Sequence, residues 1–163
     1  MVTTILSDFS FVILFPKDPH YSGTLNGLYK DLLSSGKPFN FWDYYRLDKE
    51  ILSLYHSLKS KFSVNMFTSG SIQNAPEVQK ELSGIFDTIL SAEELNIAKR
   101  DPQAYHTVAT KLGKRPHEIL FIDDQEENIK AAQSVGMSTL LFTDSKSLSE
   151  QIETTEGKLK GTS

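Results

Sequence analysis

Apolar positions change period along this chain, and the changes mark out alternating strands and helices. Residues 3–7 are a β-branched, apolar run that stops at Asp8, and residues 11–15 form a second run of the same kind; both read as strand. Leu25, Leu28, Tyr29, Leu32 and Leu33 follow helical spacing, closed by Gly36-Lys37-Pro38. Ile51, Leu54, Tyr55 and Leu58 recur at i, i+3, i+4 and i+7, the stripe of an amphipathic helix. Residues 62–68 predict the next strand, and Asn74 with Pro76 predicts the cap region and first turn of a helix running to Leu82. Phe86 to Leu90 reads as a short buried strand, and Ser91 with Glu93 and Glu94 as a capped helical turn. Asp101-Pro102 is a strong helix start, with Tyr105, Val108, Ala109 and Leu112 facing inward and Gly113 ending it. Glu118 to Ile122 is a strand, 126–135 a helix with Ile129, Ala132 and Val135 inward, and Thr139 to Phe142 the last strand. Leu148 and Ile152 predict a short helix, and 157–163 a polar, disordered tail.

Strands that alternate with helices imply an α/β fold, a doubly wound parallel sheet with helices on both faces. The alternation fails between Pro16 and Tyr45, so the domain is expected to comprise 1–15 and 46–156, with 16–45 as a short helical insertion. That insertion holds Tyr21, Phe39, Phe41, Trp42, Tyr44 and Tyr45. Aromatic clusters mostly pack, so this one is favoured as the insertion's own core over the lining of a pocket.

Composition narrows the function classes. The chain has 163 residues and a net charge of −4 with no basic stripe, which argues against a nucleic-acid partner. It has no cysteine, which excludes disulfides and thiolate metal sites and suits a reducing, cytoplasmic setting. The N-terminal apolar stretch is too short for a signal peptide, and no run is long enough to span a membrane. His20, His56, His106 and His117 lack metal-ligand spacing, and no phosphate-cradling P-loop or G-x-G-x-x-G occurs. Nothing in the pattern specifies an oligomeric state.

The candidate chemistry lies where apolar runs end. Asp8, Thr68, Lys99 and the pair Asp123-Asp124 all fall at or just beyond predicted strand ends, the edge at which open parallel sheets bind ligands. Asp8 alone is equally readable as a turn cap or as a nucleophile or metal ligand. Adjacent carboxylates at an apolar strand end are costly unless a cation or donors compensate, although one of Asp123 and Asp124 could cap the following helix. Asp8 with Asp124 would suit Mg²⁺, which takes one or two carboxylates plus water and phosphate oxygens. Thr68 offers a hydroxyl to an anion, or is an ordinary strand-end threonine. Lys99 offers a point cation, or is a solvated surface lysine.

In order and spacing these segments resemble the haloacid dehalogenase (HAD) superfamily over most of the chain. Asp8-Phe9-Ser10-Phe11-Val12 matches the first motif, D-x-D-x-T/V, with Ser10 at the second aspartate and Phe11 where many relatives have glycine. Thr68 matches the second motif, with Ser69 where relatives often carry Asn. Lys99-Arg100-Asp101-Pro102 matches the third, and Phe121-Ile122-Asp123-Asp124-Gln125-Glu126-Glu127-Asn128 the fourth. The resemblance implies a Rossmann-like fold in which 16–45 stands as a short cap. It implies that Asp8 attacks phosphorus to form an aspartyl-phosphate, with Thr68 and Lys99 in the catalytic set. It further implies that Asp8, the Ser10 carbonyl and Asp124 hold Mg²⁺, supported by Asp123, Asn128 and Ser69. The substrate would be a small phosphate or similar anion.

Ser10 departs from the pattern. In the family's phosphatases the second aspartate is the general acid and base, and its loss typically costs about 10²–10⁴-fold. Three readings follow: a weak or specialised Mg²⁺-dependent phosphatase, a catalytically inactive binding or regulatory relative, or dehalogenase-like cleavage of a carbon–halogen bond.

Overall fold

The computed structural model describes residues 1–160. β1 (Thr4–Ser7) is buried along its whole length, as a central parallel strand must be. The chain then folds back on itself: the amides of Val12, Ile13 and Leu14 all donate to the Phe9 carbonyl, at 3.3, 2.8 and 3.1 Å. Phe11 takes a left-handed conformation there, φ 61°. The run 11–15 is therefore not one strand. Residues 11–13 are a turn, and β2 is only Leu14–Pro16.

The segment that breaks the alternation holds α1 (Leu25–Ser34) and the single turn α2 (Phe41–Tyr44). Thr24 caps α1 by accepting from the Gly27 amide, and Asn40 caps α2 by accepting from that of Trp42. β3 (Tyr45–Leu47) follows at once and pairs antiparallel with β2, so that a two-stranded ribbon closes the base of the segment. The periodicity missed this ribbon because three-residue strands, one ending in proline, carry no readable alternation. The aromatic residues pack on one another: Phe41 stacks on Tyr45 at 4.5 Å between ring centroids, and Tyr29 meets both Phe39 and Phe41 edge-on.

α3 (Lys49–Leu58) starts where the Asp48 carboxylate accepts from the amides of Glu50 and Ile51. β4 (Ser63–Thr68) and α4 (Pro76–Leu82) come next. Ala75, not Asn74, stands at the cap of α4, since Asn74 is taken up in a tight 3-10 turn, Ile72–Asn74, with its amide on Glu94. β5 (Thr88–Ser91) starts two residues later than Phe86, and Ser91 caps α5 (Ala92–Leu95). α6 (Pro102–Leu112) begins at the Asp101 cap and ends at Gly113, φ 65°. β6 (Ile119–Asp123), α7 (Glu126–Ser134) and β7 (Ser138–Leu141) complete the sheet. α8 (Ser145–Lys160) is 16 residues, longer than the short helix expected. The expected tail thus continues as helix through 157–160, and 161–163 lie outside the described residues.

The five parallel strands stand in the order β5-β4-β1-β6-β7. β1 pairs with β4 on one side and β6 on the other, so the chain leaves the centre in opposite directions and opens a crevice at the switch. Alternation along each strand builds two cores. Ile5, Val64, Met66, Leu120 and Ile122 face one side, with Tyr55 of α3 and with Leu25, Phe41 and Tyr45. Leu6, Phe67 and Phe121 face the other, under Tyr105 and Val108 of α6 and Ile129 and Ala132 of α7. Each such fully buried side chain contributes about 1.5–3 kcal/mol over leaving it exposed. No helix among the described residues is long and apolar enough to cross a membrane.

Candidate active site

Three neighbouring strands deliver their polar ends to one edge: Asp8 just past β1, Thr68 at the end of β4, and Asp123 closing β6 with Asp124 next to it. Lys99 arrives from the loop between α5 and α6, after Asn96 turns the chain through a left-handed conformation, φ 53°. Lys99 is buried, 6% exposed, and is no surface lysine. Its Nζ donates to Asp8 Oδ1 at 2.8 Å and to Asp123 Oδ2 at 2.8 Å. The rings of Phe67 and Phe121 flank the ammonium at 5.4 and 5.7 Å. These apolar walls exclude water and strengthen the pairing, as in any low-dielectric site.

The two members of the acidic pair divide their work. Asp123 is wholly buried and its oxygens are spoken for: Oδ1 accepts from the Gln125 amide at 2.8 Å, and Oδ2 from Lys99 and from Asn128 Nδ2 at 3.1 Å. Asp124 is half-buried and bonded to Gln125 Nε2 at 2.8 Å. One carboxylate oxygen from each of Asp8, Asp123 and Asp124 lies within 4.8 Å of the others. Three carboxylates thus crowd together while the Lys99 ammonium bonds only two of them. Burial pushes the Asp8 carboxyl up to about 7 against the pull of Lys99, and Asp123 and Asp124 add to the rise. Asp124 is likewise raised, first by burial. Burial alone would lower Lys99, but Asp8 and Asp123 outweigh it and hold the ammonium above its ordinary value. The cluster is short of positive charge, and Asp8 and Asp124 are the two acids not already saturated by donors. That donor set fits a hard divalent cation.

Two hydroxyls add to the picture. The Oγ1 of Thr68 and the Oγ of Ser10 are buried with no hydrogen-bond partner. Unpaired buried hydroxyls are uncommon, and both fall at the edge where Asp8 lies. Ser69 is exposed at the rim, where its carbonyl accepts from the Glu93 amide at 3.0 Å.

Several supporting residues escaped the sequence reading. Tyr55 of α3 lies 2.6 Å from Ser7 Oγ, which donates to the Asp8 carbonyl at 2.8 Å. Ser91 caps α5 and also donates to the Gly70 carbonyl at 2.7 Å. Asn26 reaches from α1 to the amides of Ser71 and Ile72, at 2.9 Å each. Only Ser91 carried a local signal, as a cap; the others are contacts across 48 and 45 residues or more.

Fold and site define an α/β protein of Rossmann-like topology with a carboxylate–lysine centre at the sheet's switch point. Residues 35–136 match the model of the haloacid dehalogenase-like hydrolases, and the chain belongs to that family. It is 35% identical over 77 residues to bifunctional epoxide hydrolase 2 of Rattus norvegicus, a match covering 47% of this chain and 14% of that protein. It is 33% identical over 93 residues to enolase-phosphatase E1 of Aquifex aeolicus, covering 57% and 38%. The chain therefore spans well under half the length of these relatives. Among solved structures, a HAD family enzyme of Bacteroides thetaiotaomicron in complex with magnesium and inorganic phosphate superposes with a TM-score of 0.68 at 19% identity, over 88% of this chain and 95% of that one. An L-2-haloacid dehalogenase superposes at 0.64 with 18% identity, over 88% and 85%.

Proposed function

We propose that this protein is a Mg²⁺-dependent phosphohydrolase that works through an aspartyl-phosphate on Asp8 and favours substrates with good leaving groups, such as acyl phosphates. The observation that carries the reading is the buried Lys99 ammonium, 2.8 Å from both Asp8 and Asp123. It holds the Asp8 side chain at a defined angle and leaves its second oxygen available for attack. Asp8 and Asp124, with the Ser10 carbonyl, would hold the cation, which when bound neutralises charge on the phosphoryl oxygens.

An Asp8 oxygen attacks phosphorus, a P–O bond forms, and the bond to the leaving group breaks. Water then cleaves the aspartyl-phosphate, releasing inorganic phosphate and regenerating the carboxylate. Thr68, whose buried hydroxyl lacks a partner, donates to a phosphoryl oxygen, and Lys99 offsets the charge carried by Asp8 and the transferring group. Asp123 and Asn128 keep Lys99 in place, and Ser69 stands at the rim. Ser10 cannot protonate a leaving group near neutral pH, so an alkoxide leaves poorly while the carboxylate of an acyl phosphate, a weak base, leaves unaided.

The test is hydrolysis of acetyl phosphate with and without Mg²⁺, with Asp8→Asn as the control. Turnover that requires both the cation and Asp8, and that exceeds turnover of p-nitrophenyl phosphate, is expected. Turnover that persists in Asp8→Asn overturns the nucleophile. Absence of any Asp8-dependent turnover favours the non-catalytic reading.

A further inference from the structure

Immediately after Thr68 the backbone runs through Ser69-Gly70-Ser71 into the 3-10 turn Ile72–Asn74. That turn has no cap of its own, because the Ser71 side chain makes no capping bond. The missing acceptor comes from far away in sequence. Asn26, in the first turn of α1, accepts with Oδ1 from both the Ser71 and the Ile72 amide, each at 2.9 Å. Gly70 is a glycine because of this contact: a Cβ there would lie 2.4 Å from Asn26 Oδ1 and 2.5 Å from its Cγ. On its other side the Gly70 carbonyl accepts from Gln73 Nε2 at 2.8 Å and Ser91 Oγ at 2.7 Å. A further polar tie between α1 and this region, Lys30 to Glu93 at 3.6 Å, is exposed at both ends and contributes little.

We propose that Asn26 is a positioning residue for the anion-binding arm, fixing the loop that sets where the Thr68 hydroxyl and Ser69 stand. The proposal rests on the phosphate-directed reading of the site. Ser91 and Glu93 hold the carbonyl side of this loop, through Gly70 and Ser69, and leave the Ser71 and Ile72 amides to be held from elsewhere. Asn26 supplies that hold, and in doing so makes the placement of α1 and the geometry of the Thr68 arm a single variable. The cation-holding acids follow β1 and β6 whereas this arm follows β4, so the two binding functions have separate supports.

The experiment compares the unaltered protein with Asn26→Ala, Asn26→Asp and Asn26→Leu. Calorimetric titration measures Mg²⁺ binding and then inorganic phosphate binding at saturating Mg²⁺, and NMR measures amide exchange at Ser71 and Ile72. Asn26→Ala should weaken phosphate about tenfold, the size of one lost cap, while Mg²⁺ affinity stays within about twofold. Exchange at both amides should quicken. Asn26→Asp keeps the acceptor oxygen and should restore most of the phosphate affinity, whereas Asn26→Leu, which keeps the volume without the acceptor, should not. Should Asn26→Ala not fold, Gly70→Ala displaces the same carboxamide and should give the same phosphate-selective loss. Unchanged phosphate affinity in Asn26→Ala, or an equal loss in Asn26→Asp, overturns the proposal while leaving the site's function intact. An unaltered protein that binds no phosphate at all overturns the functional reading, and this inference with it.

Discussion

Without a cation, the three carboxylates around Lys99 are an electrostatic load on the fold, and removing one should stabilise the protein. The perturbation is Asp8→Asn, which preserves shape and leaves an amide oxygen to accept from Lys99. Burial places the Asp8 pKa at about 7 against 3.8 for the free side chain. A raised acid binds more protons folded than unfolded between those values, so its ionisation lowers stability progressively from about pH 4 to 7, and the loss persists above. About three pH units correspond to about 4 kcal/mol at 1.36 kcal/mol per unit. The pull of Lys99 is already contained in that net shift, so the variant should gain on the order of 4 kcal/mol at pH 8. For a domain of this size the melting temperature should rise by about 8–16 °C. The assay is thermal unfolding in EDTA at pH 8 and pH 5, followed by the fluorescence of Trp42, the one tryptophan in the chain. At pH 5, about one unit above the free value of 3.8, only the first part of the loss has accumulated, so the difference should shrink to about 1.6 kcal/mol. Saturating Mg²⁺ should close most of the gap at pH 8, because a ligand at 100 times its Kd stabilises by about 2.7 kcal/mol and the variant has lost one of its two free acids. A variant no more stable than the unaltered protein at pH 8 in EDTA, or equally stabilised at both pH values, refutes the reasoning.

Two further outcomes follow from the turn after β1. Ser10→Asp should raise Mg²⁺-dependent turnover of an alkyl phosphate such as glycerol phosphate by about 10²–10⁴-fold, and a variant that folds and binds Mg²⁺ yet gains nothing means that the missing acid is not limiting. At Phe11, held at φ 61°, Phe11→Gly should be more stable to urea than Phe11→Ala by about 1 kcal/mol, since both lose the ring's edge contact with Phe15 but only alanine keeps the left-handed penalty; the reverse order would show that the turn carries no strain.

What the sequence disclosed, and what it withheld, divides by range. Asp8, Thr68 and Asp123 were legible because each ends a run of buried strand residues, and a parallel sheet puts such ends on one edge whatever the loops do. The start of α6 at Asp101-Pro102 and its stop at Gly113 were legible because capping is chemistry between near neighbours. The same local logic misread Asn74, whose side chain is drawn off to Glu94 across twenty residues. It also misjudged the ribbon of β2 and β3, held by three register pairs between segments about thirty residues apart. Asn26 is the sharpest case. As one polar residue in a first helical turn it looks like surface, and Gly70 looks like ordinary loop punctuation. Only their contact makes each necessary to the other. The division of labour between Asp123 and Asp124 has the same origin. The resemblance already set Asp124 apart as the ligand, but the physical reason emerges only once Lys99 and Asn128 are brought up against Asp123 and saturate it. Side-chain types and strand ends therefore predict which groups can react, whereas contacts between distant segments decide which of them remain free to do so.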